Sequence, residues 1–434
     1  MKNMKIYTIL FAALVIGMTS CEIEEINDPN GPSAEAYVDG ATAGDLQLLV
    51  SGLQSVQRND MEFYFETVSV VGREYYDLNS IDPRNTGELV GASGTGLDPG
   101  GFLTTRAYAA KHRAARNAHV LEAAAANSTV DDAQKPAYIG FAQTIRAYEM
   151  LLELGRQHEN GIRLDTSDPQ NLGGFSAGYQ AGLAGIMSIL DAGEANLQAA
   201  SEVPFALSVG FDGFADKAGL IQFNRALAAR VAIYMGDMGA ASDALNGSFL
   251  DVGGDMNTGV YHSFSGNAND QFNPLFYIPG VEVDKFAIHP SFLTDAEAGD
   301  TRVSEKTEAW GSTVTVDGLS GDTQITLFNS NTDGFPMIRN EELILIYAEA
   351  NADAPGTAVS AIDAVRAAAG LPGYTGATDS GSLIEEIYNQ RRYSLVGEGH
   401  YWIDMRRQGR LDELPLDRAG DIIHIQFPRP NTEE

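Results

Sequence analysis

Several stretches of this sequence hold residue types used in catalysis or ion binding, and each lacks a partner its chemistry requires. The run GASGTGLDPGG (residues 91–101) is rich in glycine but has neither the Lys-Ser/Thr that cradles phosphates in a P-loop nor the strand-to-helix setting of a dinucleotide loop. The loop DVGGDMNTG (residues 251–259) is acidic but lacks the twelfth-position Glu of an EF-hand, so a structural calcium ion there stays open as an addition to an expectation of no cofactor. Seven histidines include no H-E-x-x-H pair, and no G-x-S-x-G elbow occurs. Among 59 acids some carboxylates must fall at glycosidase spacing by chance, so their presence alone argues nothing. No metal site and no catalytic residue is expected; the protein is read as a binder.

The single cysteine is placed where covalent chemistry is expected. Lys2 and Lys5 precede thirteen uncharged residues, Ile6 to Met18, and Thr19 and Ser20 lead into Cys21. An apolar run this short cannot span a bilayer, which takes about 20 residues, and reads as a secretory signal over residues 1–20. The small residue before the cysteine resembles the bacterial lipobox, with Met18 where Leu is most frequent. Cys21 is then the acylated first residue of the mature chain, and no disulfide can form within it. Glu22, Glu24, Glu25 and Asp28 follow in an acidic tether, residues 21–40, that stays solvated.

Charge narrows the partners. A formal charge of -31 gives no footprint for nucleic acid and should repel anionic surfaces; it also resembles proteins of saline habitats. With 44% apolar residues the chain can bury a large core.

Helices dominate and come in pairs. Phe141, Ile145, Tyr148 and Leu152 repeat at helical spacing up to Gly155, and Tyr179, Leu183, Ile186 and Leu190 continue the pattern. Phe223, Leu227, Val231 and Tyr234 begin a second pair, broken at Gly236; NEELILIYAEAN and AVSAIDAVRAAAGLPG form a third, stopped by Gly370 and Pro372. Such units resemble tetratricopeptide repeats, irregularly spaced. Two insertions separate them. Residues 73–102 have no helical period, and a loop-rich insertion at about 249–340 holds two short strands, STVTVDG and DTQITLFN. Both are candidate working loops, because binding residues gather on loops carried by a rigid scaffold.

The C-terminal stretch SLIEEIYNQRRYSLVGEGHYWIDMRRQGRLDELP opens with a capping box, Ser382 and Glu385, runs as a helix to about Val396, and ends in FPRP. Its Arg pair, Glu-Gly-His and Trp-x-Asp-Met-Arg-Arg resemble the C-terminal signature of the SusD/RagB family, surface glycan-binding lipoproteins of Bacteroidetes. NRALAARVAIYMGDMGAASDAL, LILIYAEAN and AIDAVRAAAGL are similar to the family too. Tyr401 departs from the Arg usual after the His, and the chain is short for the family. Trp402, inside the signature, reads as core. The resemblance implies a mainly α fold, tetratricopeptide-like helix pairs in a right-handed superhelical scaffold with irregular loops and a few short strands, as one domain over residues 41–434. It implies an outer-membrane, cell-surface lipoprotein whose acidic tether marks export. It further implies capture of an oligo- or polysaccharide and delivery to a SusC-like TonB-dependent barrel. The alternative is a helical-repeat lipoprotein for peptide or protein ligands.

A neutral sugar presents flat C–H faces and a rim of hydroxyls, met by aromatic rings and planar hydrogen-bonding side chains. On that reading Trp310, Tyr261, Phe264 and Tyr277 with Asn267, Asn269 and Asp270 form one candidate cluster, and Arg73, Tyr75, Tyr76 and Arg84 a second. The acidity of the chain favours a neutral glucan such as a β-glucan, since an anionic one would need calcium or arginines to intervene.

Overall fold

The computed structural model describes residues 40–278, 281 and 285–433, so Cys21 and the signal segment lie outside the described residues. Among the described residues no helix is long and apolar enough to cross a membrane.

Helix follows helix in antiparallel neighbours, as the paired periodicities predict. Helix α1 (Ala43–Val56) and α2 (Met61–Val71) pack on α3 (Phe102–Ala126). Then α4 (Lys135–Gln157) packs on α3, α5 (Gly178–Ala199) on α4, α6 (Lys217–Met235) on α5 and α7 (Met238–Asn246) on α6. Helix α8 (Asn340–Ala350) joins α6 and α7, and α9 (Pro355–Ala368) and α10 (Ser380–Ser394) pack on α8. A short last helix, α11 (Tyr401–Arg407), touches α2 and α10. Small residues set the distances. Seven alanines of α3, among them Ala107, Ala114 and Ala118, are buried, and a Cβ at Gly140 of α4 would meet the Gly193 carbonyl of α5 at 2.6 Å.

Two boundaries differ from the expectation. Helix α4 runs on past Gly155 to Gln157, because Gly155 is not a terminator: a Cβ there would sit 2.8 Å from Ile403 Cδ1, so the glycine admits α11. Helix α10 is capped by Asp379, whose carboxylate accepts the Ser382 N–H at 3.0 Å, rather than by a Ser382–Glu385 box.

The C-terminal signature becomes a set of buried ion pairs. Arg391 of α10 donates to Asp404 of α11 at 2.6 Å, and Arg407 donates to the other oxygen of Asp404 at 3.0 Å and to Glu349 of α8 at 2.6 and 2.7 Å. Arg230 of α6 grips Glu342 through two hydrogen bonds, 2.6 and 2.5 Å, and Arg339 bridges Glu341 and Glu398. His400 takes part as a neutral ring: burial pushes it down to about 3, and its Nδ1 meets the Tyr234 hydroxyl at 3.0 Å. Trp402 is fully buried and donates to the His424 carbonyl at 3.0 Å. Tyr401, half-buried, lies under the Arg392 guanidinium.

The second insertion contributes most of the strands. A four-stranded antiparallel sheet has the order β1-β3-β5-β4, from β1 (Tyr75–Asp77), β3 (Phe286–Ile288), β4 (Thr307–Val316) and β5 (Leu319–Ile325). A separate pair joins β2 (Gly259–His262) to β6 (Phe335–Arg339). Strands β4 and β5 turn on Asp317 and Gly318, both at positive φ, the conformation of the Asp-Gly hairpin turn.

Two expected outcomes follow from the buried charges. Asp404→Ala leaves the buried Arg391 uncompensated, while Arg407 keeps Glu349, and should cost about 3–5 kcal/mol in urea unfolding; a loss within the range of surface substitutions contradicts the network. Burial pushes Glu342 up, but Arg230 outweighs it and holds it at about 2, so its contribution is lost as pH falls from 4.5 toward that value. Glu74 behaves oppositely, pushed up by burial to about 7, so its contribution is present at low pH and lost as pH rises from 4.5 to about 7. Between pH 4.5 and about 7 Glu74 lowers stability as pH rises, against the gain from buried neutral rings such as His400. Glu74→Gln should therefore turn the slope of the urea midpoint against pH upward over that window, and a slope equal to the parent's contradicts this assignment.

Candidate functional site

Residues of the first loop prove to be scaffold. Arg73, at φ 60° and 2% exposed, donates to the carbonyls of Val70, Val71, Val90, Pro415 and Ile422. Tyr75 and Tyr76 are 2% exposed on β1, and the Tyr76 hydroxyl donates to Asp417. None of the three offers a face to a ligand, which corrects the expectation for them. In the second loop the same holds for Phe264, buried beneath Arg58, and for Tyr277, stacked on Phe286 at 4.0 Å with its hydroxyl on Glu66. Segments without helical period suggest exposed rings; pairing of β1 with β3 buries Tyr75 and Tyr76, and packing against Arg58 and Phe286 buries Phe264 and Tyr277.

Arg84, Asn267 and Asn269 are exposed, and Trp310 and Tyr261 are half-buried. Trp310 stands where the β4–β5 register shifts between Ala309 and Val314, with Gly311 at φ 75°. Its Nε1 donates to Gln324 Oε1 at 2.6 Å, which fixes the indole while the neighbouring residues of β4 stay exposed. The tip of this hairpin reaches the helical turn Arg84–Gly87. Arg418 clamps the two, donating to Asp317 at 2.5 Å and to the Thr86 carbonyl at 2.6 Å.

From Arg84 an unforeseen ladder extends. The Arg84 guanidinium lies over the Phe102 ring at 4.3 Å, Phe102 meets Phe63 edge-on at 5.7 Å, and Arg106 lies over Phe63 at 3.9 Å. Asp82 grips Arg84 at 2.9 and 2.6 Å, and Asp60 holds Arg106. The two arginine side chains are 43% and 48% exposed, open to solvent where Arg73 is closed. The hydrogen bond from Arg84 holds the Asp82 carboxyl below the usual range.

The turn between α1 and α2 joins the two candidate clusters. Asp60, at φ 54°, aims its carboxylate at Arg106; two residues earlier, Arg58 pairs with Asp270 at 2.6 Å, beside Asn267 and Asn269. Burial alone would raise Asp270, but hydrogen bonds from Ser265, the Gln271 N–H and Arg58 outweigh it and hold it low. Phe63, Phe102, Arg106 and Asp60 carry little sequence signal: Phe63 and Phe102 lie in the first turns of α2 and α3, Arg106 lies four residues further along α3, and Asp60 sits in a turn; the one legible sign is Phe102 directly after Gly100-Gly101.

Two concavities flank Tyr261, whose hydroxyl donates to the Asn257 carbonyl at 2.5 Å and which burial pushes up to about 12. One, of about 430 Å³, lies at the base of the hairpin among Arg302, Lys306, Phe328, Arg339 and Glu398. The other, of about 310 Å³, is lined by Gln47, Gln54, Arg58, Ser208 and Asp270. Burial and the nearby Arg339 charge push Lys306 down to about 8. Among the described residues no group of three or more His, Cys, Asp or Glu gathers to hold a metal ion.

One trio has the residue types of a hydrolytic triad. His289 lies 2.7 Å from Ser291 Oγ and 3.2 Å from Asp417. The same imidazole nitrogen accepts the Ser291 N–H at 3.1 Å, so His289 caps the short helix Pro290–Thr294, and Ser291 Oγ also takes a hydrogen bond from Arg392 at 2.7 Å. The trio is a structural tie between β3 and the C-terminal segment.

The SusD family model matches residues 293–422, from the second insertion through the signature. That stretch is similar to the SusD family. Its fold extends over nearly all of the chain: a SusD superfamily protein from Bacteroides vulgatus superposes with a TM-score of 0.68 at 15% identity, covering 90% of this chain and 96% of that one. Surface glycan-binding protein A from Bacteroides thetaiotaomicron, solved in complex with laminarihexaose, superposes with a TM-score of 0.67 at 13% identity, covering 91% and 97%. A laminarin binding SusD-like protein does so with a TM-score of 0.64 at 16% identity, covering 90% and 97%. No curated protein is similar in sequence.

Arg73→Met tests the division between scaffold and site. It strips donors from several buried carbonyls and should cost on the order of 3 kcal/mol of stability. An unchanged thermal midpoint contradicts the structural role.

Proposed function

We propose that this protein captures a glycan on the face that runs from Trp310 along the hairpin to Arg84, Phe102, Phe63 and Arg106, and binds it without altering it. The observation that carries this reading is the ladder of rings and guanidinium groups left half-open to solvent, each guanidinium oriented by a carboxylate. Rings meet the C–H faces of a sugar, while guanidinium and carboxylate groups meet its hydroxyls. The laminarihexaose complex of a protein with this fold supports it. In this account Cys21 carries the lipid anchor, the acidic tether holds the protein at the cell surface, and the captured glycan passes to a SusC-like TonB-dependent barrel in the outer membrane. Affinity must be weak enough for release.

Native affinity electrophoresis through a panel of neutral and acidic polysaccharides checks the class. Retardation by one glycan with no reducing sugar released is the expected outcome; no retardation by any, together with capture of a peptide, favours the peptide-binding alternative. Trp310→Ala should weaken glycan binding by about 1 to 3 kcal/mol, the range of a stacked aromatic contact. Unchanged affinity in a folded variant removes Trp310 from the site.

A further inference from the structure

Arg84 and Arg106 have more hydrogen-bonding capacity than the protein uses. Asp82 occupies one edge of the Arg84 guanidinium, and Asp60 takes a single Nη2 of Arg106. The remaining N–H groups of Arg106 have no partner among the described residues, and the guanidinium lies over the Phe63 ring at 3.9 Å. Seven residues further along α3, on the same face and about 10 Å away by helical rise, Arg113 is exposed and makes no hydrogen bond or ion pair with any described residue. In a chain with 59 acids, the sequence has no Asp or Glu between Asp98 and Glu122, which covers this face of α3.

We propose that the ligand of this face is a carboxylated glycan, a uronic-acid polysaccharide whose carboxylates are received by Arg106 and Arg113 while a sugar ring lies beside Phe63. This rests on the glycan-binding reading above and names its substrate class, in place of the neutral glucan expected from composition. A guanidinium fork matches the planar geometry of a carboxylate through two parallel hydrogen bonds, and such charge-assisted bonds are about twice as strong as those to a neutral hydroxyl. The net charge of -31 opposes any polyanion at a distance. At physiological ionic strength, though, charges are screened beyond about 8 Å, so the local array decides. That array is asymmetric. Glu88 and Asp98 lie near Arg84, and Asp60 and Glu62 near Arg106, whereas the acid-free stretch of α3 leads to Arg113. The polyanion therefore approaches along α3 from the Arg113 end and meets the rings at Phe63.

Isothermal titration of the protein with trigalacturonate, with its fully methyl-esterified form and with laminarihexaose separates the terms, since the ester keeps the sugar and removes only the charge. The acid should bind at least about tenfold more tightly than the ester, with affinity falling as salt rises. The Arg106→Met/Arg113→Met double variant should lose that preference, and Met keeps an apolar stem over Phe63. Equal affinity for acid and ester, or an unchanged preference in the double variant, overturns the proposal. Binding of laminarihexaose alone overturns it and leaves the glycan-binding reading standing, while binding of none of the three overturns both.

Discussion

Asp404 is 2% exposed and faces two guanidinium groups, and that arrangement constrains the protein more than any other. A buried charge is tolerated only with its partner in place and its other valences satisfied. Arg391 must therefore come from α10, Arg407 from the end of α11 and Glu349 from α8, with Arg230 and Glu342 closing a parallel contact between α6 and α8. Apolar packing alone would let these helices slide. The ion pairs fix their register, so the strands and loops that leave them start from defined points.

Those starting points explain the site. Strand β1 belongs to the first insertion and β3, β5 and β4 to the second, and their pairing welds the two insertions into one sheet. Arg418 then ties the hairpin tip to the turn that carries Arg84, and the α1–α2 turn brings Arg58 against the second loop and Asp60 against Arg106 of α3. A rigid face results from segments with little structure of their own. Its arginines are stacked and pinned, which limits the entropy lost when a ligand binds.

The sequence made some of this plain and hid the rest for physical reasons. Helical periodicity at Phe141, Ile145 and Tyr148, or at Phe223 and Leu227, reports burial directly, because a helix faces its core through its own repeat. The strands of the β4–β5 hairpin were legible as STVTVDG and DTQITLFN, though not their pairing. Gly155 misled because a glycine that ends a helix and one that admits a neighbour look alike without the neighbour. Arg73, Tyr75 and Tyr76 misled for a related reason: whether a loop residue is exposed depends on strand pairing across more than 200 residues, as in Tyr76 opposite Ala287. Phe63, Phe102 and Arg106 became a set only when α2 and α3 packed together.

Hydrogen–deuterium exchange of the protein with and without trigalacturonate and laminarihexaose most directly tests whether this face is where a glycan binds. The account predicts slowed exchange with at least one ligand at the α1–α2 turn, around Arg84, at the start of α3 and along the β4–β5 hairpin. Protection confined to the concavities beside Tyr261, or no protection with either ligand, would contradict it.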